Sequence, residues 1–272
     1  MSEKQYGIYF VEGIADGAFK IYERRDASIY LVIGDKKACL IDTAFGLTDL
    51  RSFAGQFTHL PVTVVNTHGH IDHVLGNHWF YDKGNEEVYM HPDDVDLYDE
   101  VVSGYADMIR DPDVQEQFGE FIKDFDPEAI TFPKTKNIRE GDLIDLGGRT
   151  LEIVEFPGHT RGSILLLDKA DKICYAGDSL IENLWLFLEE STSPDVYYAS
   201  LKRAYDILSK AGIERIYNGH YCYKPLTLDN VKEMILGMES LLAGKGVGEP
   251  FENHAGSGLQ FSFGDWKVLL RA

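Results

Sequence analysis

Asn66-Thr67-His68-Gly69-His70-Ile71-Asp72-His73 follows directly on the apolar run Val62-Thr63-Val64-Val65, and its last six residues hold four side chains able to ligate a metal. The apolar run reads as a short buried strand. Alternating His68 and His70 suit an extended loop that points both imidazoles one way. Asp72 and His73 then start the next helix and face elsewhere, so one short segment can serve two neighbouring metals. Further ligands come in matching contexts. His159 follows the strand ending at Glu155-Phe156 through Pro157-Gly158, Asp178 follows Ile173 to Ala176 through Gly177, and His220 follows Ile213 to Tyr217 through Asn218-Gly219. Each lies just past a strand end, beside a glycine that lets the backbone turn sharply. In layered α/β sheets sites gather at one end of the strands, so these loops can converge.

Imidazole and carboxylate ligands with no thiolate suit zinc, and iron or manganese are compatible with the same donors. Five His and two Asp are too many for one tetrahedral ion. They divide into two sites bridged by a carboxylate and a hydroxide, with metals roughly 3.5–4 Å apart as in other two-metal enzymes. The remaining histidines, His59, His78, His91 and His254, lack the strand-glycine context and are expected in surface, capping or core roles.

Outward from this motif the chain reads as α/β. Ala27 to Ile33 and Ala38 to Ile41 form a hairpin across the Gly34-Asp35 turn signal, a helical stretch follows at about 47–57, and Val62–Val65 returns as a strand. Between about Pro92 and Ala129, Val95, Tyr98, Val101, Val102, Tyr105 and Ile109 recur at helical spacing in a segment dense in acids. This predicts an inserted helical pair, either a cap on the sheet or a pocket wall or dimer surface. Strands are expected at 150–156, 163–167, 172–176 and 213–217, helices at 199–211 and near 229–242, and a terminal hairpin at Gly264-Asp265. Leu184 to Tyr198 reads as a loop whose apolar Trp185 to Leu188 run could line a pocket.

With 45 acidic and 26 basic residues the 272-residue chain carries a formal charge of −19, which disfavours nucleic acid and anionic membrane surfaces as partners. Cys39, Cys174 and Cys222 are too few and too scattered for a disulfide framework or a thiolate zinc site. The N-terminal residues lack a signal-peptide pattern and no run reaches the roughly 18 apolar residues of a membrane span. The expectation is a single cytoplasmic domain spanning 1–272.

Taken together, the ordered blocks Leu40-Ile41-Asp42-Thr43, Thr67 to His73, Pro157-Gly158-His159-Thr160-Arg161-Gly162-Ser163, Ala176-Gly177-Asp178-Ser179 and Asn218-Gly219-His220 resemble the metallo-β-lactamase superfamily. The resemblance implies a four-layer αββα sandwich built from two similar halves. It also implies roles: His68, His70 and His159 on a first metal, Asp72, His73 and His220 on a second, Asp178 bridging, and Asp42 orienting a ligand from behind. β-Lactamases of the family generally lack an aspartate at the Asp178 position, and flavodiiron-like members usually have a glutamate where this chain has His70. Only 41 residues separate Asp178 from His220, too few for the insert of the RNA-cleaving branch.

What remains is a glyoxalase II-like or lactonase-like hydrolase of a small ester, thioester or lactone. A metal-bridging hydroxide would attack the carbonyl, and Asp72 would hold the hydroxide as well as ligate. A small-molecule phosphodiesterase is an alternative on the same two-metal site. A non-catalytic metal-binding module or a mononuclear iron oxygenase is a further one. Lys224, Lys232 and Lys245 are only scattered candidates for recognising a glutathione-like substrate. Trp185, Tyr198 and Tyr221 are the candidate substrate contacts, the partner is a small molecule, and a homodimer is a candidate assembly.

Overall fold

The computed structural model describes residues 3–24, 26–82, 87–123 and 125–272, so that residue 124 of the expected helical insert lies outside the described residues. The chain divides into two compact units, one of Met1–Ile138 with Asp145–Gly148 and one of Arg139–Ile144 with Arg149–Ala272.

The first unit is built on an eight-stranded sheet whose spatial order follows the sequence: Lys4–Tyr6 (β1), Tyr9–Ala15 (β2), Ala18–Glu23 (β3), Ser28–Ile33 (β4), Ala38–Ile41 (β5), Val62–Val65 (β6), Val88–Met90 (β7) and Lys136–Asn137 (β8). β1 to β5 are joined antiparallel and β5 to β8 run parallel. Every residue of β5 and nearly all of β4 are buried, which is why these runs are continuously apolar rather than alternating. The parallel step from β5 to β6 needs a crossover, supplied by Leu50–Ala54 (α1). α1 is shorter than the 47–57 expectation because Asp49 accepts the Ser52 N–H as its N-cap and Gly55 ends it.

The predicted helical pair proves to be three helices, Val95–Ser103 (α3), Tyr105–Arg110 (α4) and Pro112–Ile122 (α5), after the short Ile71–Val74 helix (α2). The apolar spacing is continuous, but Gly104 caps α3, and Pro112, which has no N–H to give, forces a restart behind Asp111. Tyr105, Ile109 and Ile122 are buried with Leu47 and Leu75 in one cluster, so these helices pack on the unit's own loops.

The second unit has two sheets. One orders Arg215–Tyr217 (β14), Ile173–Tyr175 (β12), Ile164–Asp168 (β11), Thr150–Glu155 (β10) and Leu143–Asp145 (β9). The other orders Asn183–Leu186 (β13), Trp266–Leu270 (β17), Gly256–Phe263 (β16) and Glu249–Asn253 (β15). Helices Pro194–Ala211 (α6) and Leu228–Leu242 (α7) pack on the core, α6 through Tyr197, Leu201, Ala204 and Leu208. α6 begins five residues before the expected start because Ser193-Pro194 places proline at the first helical turn, and Gly212 at φ 69° stops it. The stretch read as a loop from Leu184 is in part a strand: Leu184 and Leu186 alternate into the core, leaving Trp185 on the other face. Among the described residues no helix is long and apolar enough to cross a membrane.

Candidate metal centre

In the first unit β6 delivers its C-terminal end straight into the ligand loop. His70 is extended at φ −71°, ψ 153° and serves as the N-cap of α2, so Asp72 and His73 sit in the first turn of a helix. The imidazoles of His68 and His70 have centroids 4.7 Å apart, and those of His68 and His73 are 4.1 Å apart. Asp42 organises the group from behind. Its Oδ1 accepts the Thr67 N–H at 2.7 Å, and its Oδ2 accepts the Thr67 hydroxyl at 2.8 Å and His73 Nδ1–H at 2.9 Å. Because the Thr67 proton is committed to Asp42, Thr67 Oγ1 is left to accept from His68 Nδ1, 3.1 Å away. Both rings are thereby fixed with Nδ1 protonated and Nε2 available to a metal. Between the two loop histidines the Gly69 N–H donates to buried Asp94 Oδ2 at 2.9 Å. A Cβ on Gly69 would stand 3.1 Å from the Asp94 carbonyl oxygen and from Leu97, so the loop lies flat on the start of α3.

In the second unit the three candidate ligands come from three separate turns. His159 Nδ1–H donates to the Trp185 carbonyl at 2.8 Å, which again makes Nε2 the unprotonated nitrogen. Gly158 passes so close to the Tyr197 ring that a Cβ would stand 2.6 Å from Cδ2. Gly177 takes φ 48°, and the Gly219 N–H donates to its carbonyl at 2.9 Å, tying the Asp178 turn to the His220 turn. Asn218 accepts the His220 N–H at 3.2 Å and donates to Glu182 at 2.9 Å. Asp178 Oδ2 lies 3.1 Å from His220 Nε2 and 3.7 Å from His159 Nε2.

These spacings can be tested against a metal. Two ligands on one tetrahedral zinc at about 2.1 Å stand about 3.4 Å apart. The separations of 3.5 Å between His73 Nε2 and Asp72 Oδ2, and of 3.1 and 3.7 Å around Asp178, bracket that value. The donors are neutral imidazole nitrogens and carboxylate oxygens, the set that zinc, iron and manganese accept. The residues present fit a metal.

The other candidates are placed as follows. Trp185 supplies its carbonyl to His159, while its ring packs against Phe187 and His254 at centroid distances of 5.2 and 5.7 Å. The Tyr198 hydroxyl on α6 donates to Glu239 on α7 at 2.6 Å. The Tyr221 ring lies 5.1 Å from that of Tyr223, just beyond His220. His91 caps the turn before α3 by accepting the Asp93 N–H, and His78 donates Nδ1–H to the Leu75 carbonyl at 2.7 Å. Burial holds His78 down to about pH 4, so it is neutral in the fold. His59 borders a hollow with Arg51 and Phe80, and His254 lies exposed beside Trp185. Buried Cys39 and Cys174 have their thiols pushed far up by desolvation. Sequence reasoning found Asp42 but not Asp94, Thr67 or the Trp185 carbonyl, each of which holds a candidate ligand or its loop.

Residues 22–220 match the model of the metallo-β-lactamase superfamily, and the chain belongs to that family. It is 29% identical over 238 residues to the human protein named acyl-coenzyme A thioesterase MBLAC2, covering 78% of this chain and 81% of that one. An uncharacterized protein of Mycobacterium tuberculosis is 32% identical over 151 residues, 53% of this chain and 63% of its own length. Among solved structures, a metallo-β-lactamase from Erythrobacter litoralis superposes with a TM-score of 0.63 at 17% identity, covering 88% of this chain and all of the other. The metallo-β-lactamase family protein TTHA1429 from Thermus thermophilus gives 0.57 at 20% identity, over 85% of this chain and 82% of the other. The mixed α/β architecture is that of the metallo-β-lactamase fold.

Proposed function

We propose that this chain is a metal-dependent hydrolase of acyl thioesters in which the two sets of ligands act together. His68, His70 and His159 would hold one zinc, Asp72, His73 and His220 a second, and Asp178 would bridge them. The observation that carries the reading is the tautomer pattern. His68, His73 and His159 each commit Nδ1 to the protein, which leaves the same nitrogen, Nε2, for a metal in both units. The superfamily match, which runs through all seven residues, and the thioesterase name of relatives aligned over 81% of their length support it.

When bound, such ions lower the pKa of water from 15.7 to roughly 7 and polarise a carbonyl, which is the chemistry that acyl hydrolysis needs at neutral pH. The chain's own residues prepare for it. Asp42 and the Trp185 carbonyl fix ring planes before any ion arrives, which spares reorganisation at the moment of reaction. Asp72 has a second carboxylate oxygen with which to accept a hydrogen bond from the attacking water and aim its lone pair at the carbonyl carbon. A thiol leaving group, with a pKa near 8.5, departs as thiolate without a dedicated acid, whereas an alkoxide asks for more help. The charge of −19 argues that the acyl-thioester end, rather than a nucleotide's phosphates, supplies most of the binding.

The test is a panel of acyl-CoA thioesters, simpler acyl thioesters, lactones and small phosphodiesters on protein of measured metal content. Thioester turnover that disappears with chelation and returns with zinc supports the reading. Turnover confined to lactones or phosphodiesters, or undiminished in metal-free protein, refutes it.

A further inference from the structure

Glu23 ends β3, is 1% exposed, and its carboxylate grips a loop. Oε2 accepts the Phe45 N–H at 2.9 Å and Oε1 the Leu47 N–H at 3.0 Å. That loop is strained: Asp42 and Ala44 have φ of 60° and 52°, a left-handed region disfavoured for any residue with a Cβ, while Gly46 takes φ 67° at no such cost. Such a run persists only where the surroundings over-determine it.

The opposite side of the loop is docked on the segment that carries Asp72 and His73. The Thr43 N–H donates to the His73 carbonyl at 2.9 Å, the Gly76 N–H to the Ala44 carbonyl at 3.2 Å, and Trp79 Nε1–H to the Gly46 carbonyl at 2.9 Å. A Cβ on Gly76 would come within 2.2 Å of the Thr43 carbonyl oxygen, so the two backbones are in direct contact. The first residue of the loop is Asp42, which holds His73 Nδ1 and Thr67.

We propose that Glu23 is a positioning residue for His73: by anchoring 45 and 47 it keeps the strained 42–47 loop seated, and through it keeps Asp42 on the His73 ring. This rests on the reading of His73 as a metal ligand. The environment agrees with an anchor under load. Desolvation pushes the Glu23 carboxyl up to about 7 even though two backbone N–H groups and Arg24 favour its charged form; Asp26, Tyr9 and Tyr105 also face it. Protonation turns one accepting oxygen into a hydroxyl and loosens one of the two N–H contacts, so the ionised form is the firmer anchor.

The experiment uses the full chain, metal-free and labelled with 15N-histidine, at pH 8, comparing wild type with Glu23→Ala and Glu23→Gln. In wild type the His73 ring nitrogens report one Nδ1–H tautomer. In Glu23→Ala they move toward a tautomer mixture while those of His159, in the other unit, stay in place, and Glu23→Gln, which keeps one acceptor oxygen, moves part of the way. Zinc affinity, by competition with a chelator, falls in parallel by roughly 10–100-fold, the usual cost of losing support behind a ligand. An unmoved His73 signal in folded Glu23→Ala overturns the proposal, and if that variant does not fold, an unmoved signal in Glu23→Gln does so. Wild type that binds no zinc speaks against the two-metal reading, while the ring signals still decide whether Glu23 positions His73.

Discussion

The two units hold their candidate ligands by different means. In the first, four candidate ligands crowd into six residues, and the support behind them is acidic: Asp42 on His73 and Thr67, Asp94 on Gly69, Glu23 on the loop that carries Asp42. In the second, three candidate ligands come from turns 19 and 42 residues apart in sequence, and the support is mostly backbone: the Trp185 carbonyl on His159 and the Gly219 N–H on the Gly177 carbonyl. Carboxylate support can titrate and can be removed by one substitution. Backbone support responds to neither and fails only when the turn itself is distorted.

The largest effect expected is from the residue on which the second unit's candidate ligands centre. Asp178→Ala should lose both bound metal and thioester turnover, by on the order of 10³-fold in kcat, the scale of removing one electrostatic stabiliser. Metal analysis beside steady-state kinetics checks this, and retained turnover would remove Asp178 from the site.

Next comes a pH dependence confined to the first unit. The Glu23 carboxyl is raised from 4.5 to about 7, so between those values the unfolded chain has released the proton and the folded chain still holds it. Stability from this group is therefore full below pH 4.5 and lost as pH rises through 7, by about 3 kcal/mol. Metal-free wild type should lose that much relative to Glu23→Gln between pH 4.5 and 8 in urea titrations. Parallel curves would contradict it.

Gly158→Ala tests the backbone support. Its methyl group would meet the Tyr197 ring at 2.6 Å, and both stand in a packed core, so a loss of roughly 1–3 kcal/mol in unfolding free energy is expected. Asp42→Asn tests the acidic support: zinc affinity should fall by roughly 10–100-fold with little change in fold, as for other groups behind a metal ligand. The smallest effect should come from Trp185→Ala. It removes a ring and leaves the carbonyl that holds His159, so zinc affinity should move by less than about threefold, below the range that a broken support produces. A tenfold drop would show that the ring, and not the carbonyl, positions His159.

The same contrast explains what could be read from the residues alone. The ligand loop of the first unit was legible because strand, turn and ligands are contiguous, and the His70 cap of α2 follows from the alternation of His68 and His70. His159, Asp178 and His220 were legible through a repeated context, a strand followed by a glycine. Asp94 and Glu23 were not, since their partners lie 25 and 22 residues away and a buried acid in sequence looks like any surface acid. An acid at the end of an apolar strand, as Glu23 is, was the available signal. The Trp185 carbonyl could not be found at all, because a backbone acceptor has no residue identity. Secondary structure failed where chain breaks are chemical rather than periodic: Gly104 and Pro112 cut one apolar period into three helices, and four residues of β13 are too few for alternation to stand out from an apolar loop.

The central claim is that ligands from both units serve one pair of ions that cleaves acyl thioesters. Quantifying metal on chelator-free protein, with thioester turnover followed on the same sample through chelation and zinc return, tests it most directly. Two zinc ions per chain, lost and regained together with turnover, are predicted; one iron per chain, or full turnover by metal-free protein, would contradict the account.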